Sequence, residues 1–198
     1  MFGRGRQVIL PGSWAYDQVQ RLAGARKVRS RIRNRLTSLD LVPAVALDVG
    51  GGTGLNRILL PDSWTYICLD HDLSKLRGMA GKYPKAMALL ADAASLPLAD
   101  GTIGLILCTA VAHHLPDDLF NDLLGGCSRV LKNSGYFVFL DAVWEPANRV
   151  SRMLWKFDRG SYPRTAETLR SLILRHFRIE RWELFAVYHR YILGVGAK

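Results

Sequence analysis

Apolar positions along this 198-residue chain recur with two periods. Short apolar runs bounded by Gly, Pro or Asp read as strands. They are Val45–Val49, Thr65–Leu69, Ala86–Leu90, Ile103–Cys108, Tyr136–Asp141, Arg178–Val187 and His189–Val195. Between them lie segments with apolar residues every three to four positions, which read as helices. These are Leu73–Tyr83, Leu119–Leu131 and Thr165–Phe177, the last with Thr165 as N-cap and Glu167 in its first turn. Thr53–Leu60 reads as the opening of a further helix. Trp14–Leu41 reads as largely helical, with Val19, Leu22, Val28, Ile32, Leu36 and Leu39 on one stripe and a break near Gly24.

Strands alternating with helices predict an α/β fold with a mostly parallel, doubly wound sheet and helices on both faces. The last two strands are joined by a tight turn. They must be antiparallel, because a parallel connection needs a long crossover. The length suits one domain with a single well-filled core. No apolar run approaches a membrane span, and the N-terminal MFGRGRQVILPGS does not read as a secretory signal. Cys68, Cys108 and Cys127 are odd in number and widely spaced, without metal-ligand spacing. They read as reduced cysteines in or near the core of a cytoplasmic protein, and no metal is expected.

The net charge of +10 is uneven. Residues 1–43 hold nine Lys/Arg against two acids, residues 44–144 seven against ten, and residues 145–198 eleven against five. Basic ends suit an anionic small molecule, an anionic membrane surface or RNA, or only solvent. Arg26, Lys27, Arg29, Arg31, Arg33 and Arg35 surround the apolar stripe of the first helix. That helix either lies at an interface or packs its stripe on the sheet and solvates its arginines.

The candidate chemistry starts at ALDVGGGTG, residues 46–54. A strand, a glycine turn and a helix start make a nucleotide-type loop. A dinucleotide fingerprint would need a third glycine where Leu55 stands, and a P-loop would need a Gly-Lys-Ser/Thr that is absent. Asp70 ends the second strand, beside this loop in a doubly wound sheet, where a carboxylate can accept ribose hydroxyl protons. His113 and His114 follow the fourth strand at the same edge, and a histidine there can serve as a general base.

Asp48-x-Gly50-x-Gly52-x-Gly54 resembles motif I of class I S-adenosylmethionine-dependent methyltransferases, of the ubiquinone/menaquinone-biosynthesis-like small-molecule group. Asp70 and its following stretch resemble the family's D-x-S-x-x-x-L, with Asp72 in the place of the serine and Ser74 later. Ala91–Gly101 (ADAASLPLADG) is similar to the family's G/A-D-A-x-x-L-P-F-x-D. Thr109–Asp117 is similar to x-x-x-L-H-H-L-x-D, with Ala112 for the leucine. The resemblance implies a Rossmann-like seven-stranded sheet whose last strand lies between the fifth and sixth. It implies S-adenosylmethionine as cofactor and S-adenosylhomocysteine as product. It assigns Asp48, Gly50, Gly51, Gly52 and Gly54 to the methionine end, Asp70 and His71 to the ribose, and Asp92 and Ala93 to the adenine, with Thr109 beside them.

The methyl acceptor is expected to be a small, anionic or lipid-like molecule, with an O, N or C nucleophile. No Asn/Asp-Pro-Pro-Tyr/Phe or Pro-Cys follows the fourth strand, which argues against exocyclic-amine and cytosine C5 methylation. Residues 143–164 form a candidate substrate lid, with Trp144, Arg149, Trp155 and Arg159 as acceptor contacts and Tyr16 facing them from the N-terminal side. Phe157, Tyr162, Arg152 and Arg164 lie in the same stretch. The expected layout is a basic helical cap over 1–43, a cofactor core over 44–142, this lid, and a helix with two strands over 165–198. An RNA methyltransferase and a non-catalytic cofactor-binding scaffold are the alternatives.

Overall fold

The computed structural model describes residues 24–42, 45–148, 151–152, 155, 162–187 and 190–198. Its strands are β1 (Val45–Val49), β2 (Thr65–Asp70), β3 (Met87–Leu90), β4 (Ile103–Thr109), β5 (Leu131–Val143), β6 (Arg178–Ala186) and β7 (Arg190–Ala197). They form one seven-stranded sheet in the order β3-β2-β1-β4-β5-β7-β6. β1 to β5 pair in parallel, and β7 runs antiparallel between β5 and β6. The helices with described bounds are α1 (Ala25–Thr37), α2 (Leu73–Lys82), α3 (Asp117–Val130) and α4 (Ala166–Ile173).

Strand alternation sends successive side chains to opposite faces, so each strand feeds two cores. Leu47, Val49, Leu69, Ile106, Phe137 and Phe139 face α3 and α4, where Phe120, Leu123, Leu124, Leu169 and Ile173 complete one layer. Ala46, Tyr66, Leu105, Leu107, Val138 and Leu193 face α1 and α2, where Ile32, Leu36, Leu76 and Met79 complete the other. The apolar stripe of α1 is therefore spent on the sheet. Arg31 and Arg35 on its flank both pair with Glu183 of β6. Cys68, Cys108 and Cys127 are free and buried. No helix among the described residues is long and apolar enough to cross a membrane.

The sequence pattern misplaces one element. Thr53–Leu60 does not open an α-helix; it forms turns and a short 3-10 segment, Arg57–Leu59. Three-residue hydrogen bonds carry it, from Gly54 N–H to Gly51 O, Arg57 N–H to Gly54 O and Leu60 N–H to Arg57 O. Asn56 is drawn inward by Asp48 and Thr109, while Arg57 folds back on Leu60 O and Asp62. Pro61 then blocks continuation. Elsewhere the differences are at ends. α3 starts at Asp117, two residues early, with Asp117 and Asp118 in its first turn. Asp72 caps α2, accepting from Ser74 N–H (2.9 Å) and Lys75 N–H (3.3 Å), which accounts for an acid in place of the serine. Thr165 caps α4 through Thr168 N–H at 3.2 Å.

Candidate functional site

The carboxyl ends of β1, β2, β3, β4 and β5 meet at one edge of the sheet, where open α/β folds place their ligands. The turn after β1 comes first. Gly50 has φ +66°, and a Cβ there would stand 2.6 Å from Val111 Cγ2, on the turn that follows β4. A Cβ on Gly51 would stand 2.6 Å from Cys68 Sγ and 2.8 Å from the Asp48 carboxylate. Any side chain at Gly51 would thus push the loop outward, away from the supporting strands.

Asp48 is fully buried beneath that loop. Its Oδ2 accepts from Tyr66 Oη–H (2.5 Å) and its Oδ1 from Asn56 Nδ2–H (3.0 Å). Asn56 also donates to Thr109 Oγ1 at 2.8 Å, tying β1 to β4. Burial pushes the Asp48 carboxyl up to about 6, although the Tyr66 and Asn56 hydrogen bonds oppose the rise. Burial and the Asp48 charge raise Tyr66 as well, and push the Cys68 thiol up to about 12. The cluster rests on neutral donors.

Asp70 is also nearly buried. Its Oδ2 accepts from Gly52 N–H (2.9 Å) and its Oδ1 from Asp72 N–H (2.9 Å). Each oxygen keeps acceptor capacity for a ligand hydroxyl. His71 is exposed, with Nδ1 3.6 Å from Asp70 Oδ1. Beyond β3, Asp92 is exposed and accepts from Ala94 N–H at 2.9 Å, in a turn that leaves Ala93 half-buried. Both lie next to β2, since Ala91 N–H reaches Asp70 O at 3.3 Å.

The turn after β4 is under backbone strain. Ala110 has φ +57°, an uncommon conformation for any residue but glycine, and its N–H is held by Leu140 O at 2.8 Å. The chain then enters a 3-10 turn, Ala112–His114. His113 is buried, with Nδ1 2.6 Å from Asp141 Oδ1 at the end of β5. His114 is exposed, its ring 4.1 Å from that of His113. Trp155 meets His113 edge-on at 5.7 Å, and Trp144 meets Trp155 at 6.4 Å. Of the expected acceptor contacts, the structure thus brings Trp155 to His113 and Trp144 to Trp155. Tyr16, Arg149 and Arg159 lie outside the described residues.

Arg164, grouped with the anion-contacting arginines in sequence, has another task. Its guanidinium is buried and donates to Ala112 O, Leu115 O and Asp117 Oδ1, each at 2.7 Å. It locks the His113 turn to α3. Arg164, Asn56, Tyr66 and Asp141 carry no motif that singles them out. Asp141 had one readable signal, as an acid ending an apolar parallel strand like Asp48 and Asp70. Among the described residues no group of three or more His, Cys, Asp or Glu could hold a metal ion.

This edge has the geometry of a Rossmann-like ligand crevice, with the rings of His113, His114, Trp155 and Trp144 grouped at its β4–β5 side. A methyltransferase-domain family model matches residues 47–139. The chain is 31% identical over 131 residues to the malonyl-(acyl-carrier protein) O-methyltransferase of Geobacter sulfurreducens, covering 63% of this chain and 46% of that protein. It is 28% identical over 191 residues to the phthiotriol/phenolphthiotriol dimycocerosates methyltransferase of Mycobacterium tuberculosis, covering 90% of this chain and 67% of that protein. The chain thus spans about half the length of the Geobacter relative. Among solved structures, a Pyrococcus horikoshii protein superposes with a TM-score of 0.74 at 15% identity, covering 87% of this chain and 90% of that one. Geranyl diphosphate methyltransferase, solved with GPP and sinefungin, superposes with a TM-score of 0.69 at 12% identity, covering 85% and 78%. At such identities these two likenesses show the fold alone. Residues 47–139 thus match the methyltransferase-domain family, on a fold shared with these solved structures.

Proposed function

We propose that this chain transfers a methyl group from S-adenosylmethionine to a small, lipid-like acceptor. The observation that carries the reading is the bond between Asp70 and Gly52 N–H (2.9 Å), which joins the acid of β2 to the glycine loop. A buried carboxylate fixed there by backbone donors is pre-set to grip ribose hydroxyls. A Cβ on Gly51 would collide with Cys68 and Asp48 beneath the loop, so glycine there keeps the loop seated on its supports, beside Asp70. S-adenosylmethionine, when bound, supplies a methyl already activated by its sulfonium.

The chain's residues divide the remaining work. The backbone of Gly50, Gly51, Gly52 and Gly54 lines the methionine end. Asp48 acts from beneath, because both its oxygens are engaged inside the protein; it braces the loop and, through Asn56, Thr109. Asp70 with His71 takes the ribose, and Asp92 with Ala93 the adenine. His113, His114, Trp144 and Trp155 form the acceptor side. Residues 44–142 are then the cofactor core, with the acceptor lid over 143–164. The aromatic walls favour an apolar acceptor, and the Mycobacterium relative is named as a phthiotriol/phenolphthiotriol dimycocerosates methyltransferase.

The test is transfer of labelled methyl from S-adenosylmethionine by the purified chain, offered a solvent extract and the RNA of the expressing cells. Label in small organic-soluble molecules is expected. Label confined to RNA, or cofactor binding with no transfer, would contradict the reading.

A further inference from the structure

We infer that α1, with the groove it forms against the end of β6, is a docking surface for an anionic phospholipid membrane.

The charge of α1 has one sign. Residues 25–37 hold Arg26, Lys27, Arg29, Arg31, Arg33 and Arg35 and no acid. Packing the apolar stripe on the sheet leaves Arg26, Lys27, Arg31 and Arg33 exposed. Helical spacing sets Arg26, Arg29 and Arg33 along one flank and Lys27, Arg31 and Arg35 along the other. Their neighbours agree. Arg33 donates to Ile58 O at 3.3 Å, whereas Arg31 and Arg35 both pair with Glu183 of β6. Among the described residues, Glu183 is the only acid paired with an α1 cation. One carboxylate cannot offset two rows of positive charge. Ser30 and Asn34, both exposed, form the crest between the rows.

A cavity of about 250 Å³ lies between α1 and the end of β6. Lys27, Ser30, Arg31 and Asn34 line one side of it and residues 185–187 the other. All four α1 side chains donate hydrogen bonds, and no acid lines the groove. Arg31 is held there by Glu183 and by the Phe185 ring, whose centre is 5.1 Å from its guanidinium. Fixed cationic and neutral donors without an opposing acid complement a phosphate.

The surroundings favour a membrane over other phosphate carriers. Single-stranded RNA is held by rings on which its bases stack. α1 has no aromatic residue, and Phe185 is buried with Tyr191 stacked on it at 5.6 Å. A lone phosphate in the groove meets one row of cations. A lipid surface meets both, along about 10 Å of helix. Ile58, exposed beside Arg33, adds an apolar contact. With the stripe of α1 spent on the sheet, adhesion is electrostatic and salt weakens it. Docking would bring the chain to a lipid-like acceptor. The assignment nevertheless uses no residue of the cofactor or acceptor sides and does not rest on the transfer reading.

The test is co-sedimentation of the full chain with phosphatidylcholine vesicles, with and without added phosphatidylglycerol. Binding should require phosphatidylglycerol and fall roughly tenfold as salt rises from about 0.1 to 0.5 M. The triple variant Arg26→Gln, Lys27→Gln, Arg33→Gln should bind roughly 100-fold more weakly, at about fivefold per cation. The triple variant Lys85→Gln, Lys132→Gln, Arg175→Gln removes the same charge from other exposed positions and should lose less than about fivefold. Ser30→Asp, which sets a carboxylate in the groove and removes no cation, should weaken binding about fivefold. Melting temperatures check folding; if a variant unfolds, the lipid and salt dependence of the unmodified chain decides. Failure to bind phosphatidylglycerol vesicles, equal loss in the two triple variants, or tighter binding to RNA than to vesicles at the same salt would overturn the inference. Affinity for S-adenosylhomocysteine should be unchanged in every variant. Loss of vesicle binding alone leaves the methyltransferase reading standing, and absence of S-adenosylhomocysteine binding leaves this surface standing.

Discussion

Asp48 is an acid placed where burial works against its charge. Its pKa of about 6 in the fold lies above the ordinary aspartate value of 3.8. Between those values the folded chain holds a proton that the unfolded chain has released. This group's contribution to stability is therefore full below about pH 4 and lost as pH rises through about 6. The whole shift corresponds to about 3 kcal/mol. Urea unfolding should show Asp48→Asn gaining on the unmodified chain by about 2 kcal/mol between roughly pH 4.5 and pH 7.5. A constant difference across that range would mean the carboxyl is not raised. Ala110 makes a second residue-scale case. Its positive φ costs about 1–2 kcal/mol for an L-residue, so Ala110→Gly should recover part of that and raise the melting temperature by a few degrees. Sequence made Asp48 visible because it precedes three regularly spaced glycines. It left Ala110 invisible, because nothing in an alanine announces a left-handed backbone.

The turn between β4 and α3 depends on one distant side chain. Arg164 comes from the segment before α4, yet it satisfies two carbonyls of that turn and sits over the Phe120 ring at 5.2 Å. Its partner Asp117 is largely exposed, so the ion pair itself adds little. The buried donors carry the effect. Arg164→Met should destabilise the fold by about 3 kcal/mol in denaturant unfolding, and Arg164→Lys should not restore it, because an ammonium cannot fork to these acceptors. Full stability in Arg164→Lys would contradict the fork. The helix expected from Thr53 failed for a related reason. Periodicity reports which residues can share a face, whereas Asn56 and Arg57 spend their side chains on Asp48, Thr109, Leu60 and Asp62. Long-range hydrogen bonds of this kind leave no periodic trace. The strands, whose pairing follows runs of buried residues, were legible to within two residues except at β5, which begins at Leu131 rather than Tyr136.

For the whole molecule, alternation of strands and helices gave the α/β class. The placement of β7 between β5 and β6 came from family resemblance, since local pattern establishes only that the terminal pair is antiparallel. Charge follows the same division. The acidic middle of the chain supplies Asp48, Asp70 and Asp141 at one sheet edge, and the basic α1 lies on the face away from α3 and α4. A cationic sulfonium suits that edge. The methyl transfer proposed for this chain depends on the edge holding the adenosyl cofactor through Asp70. The direct measurement is calorimetric titration of S-adenosylhomocysteine into the unmodified chain and Asp70→Ala, with melting temperatures checking that both are folded. Saturable binding that the substitution weakens by about tenfold or more, or roughly 1.4 kcal/mol, is expected. Equal affinity in the two folded proteins would contradict the ribose assignment and, with it, the placement of the cofactor.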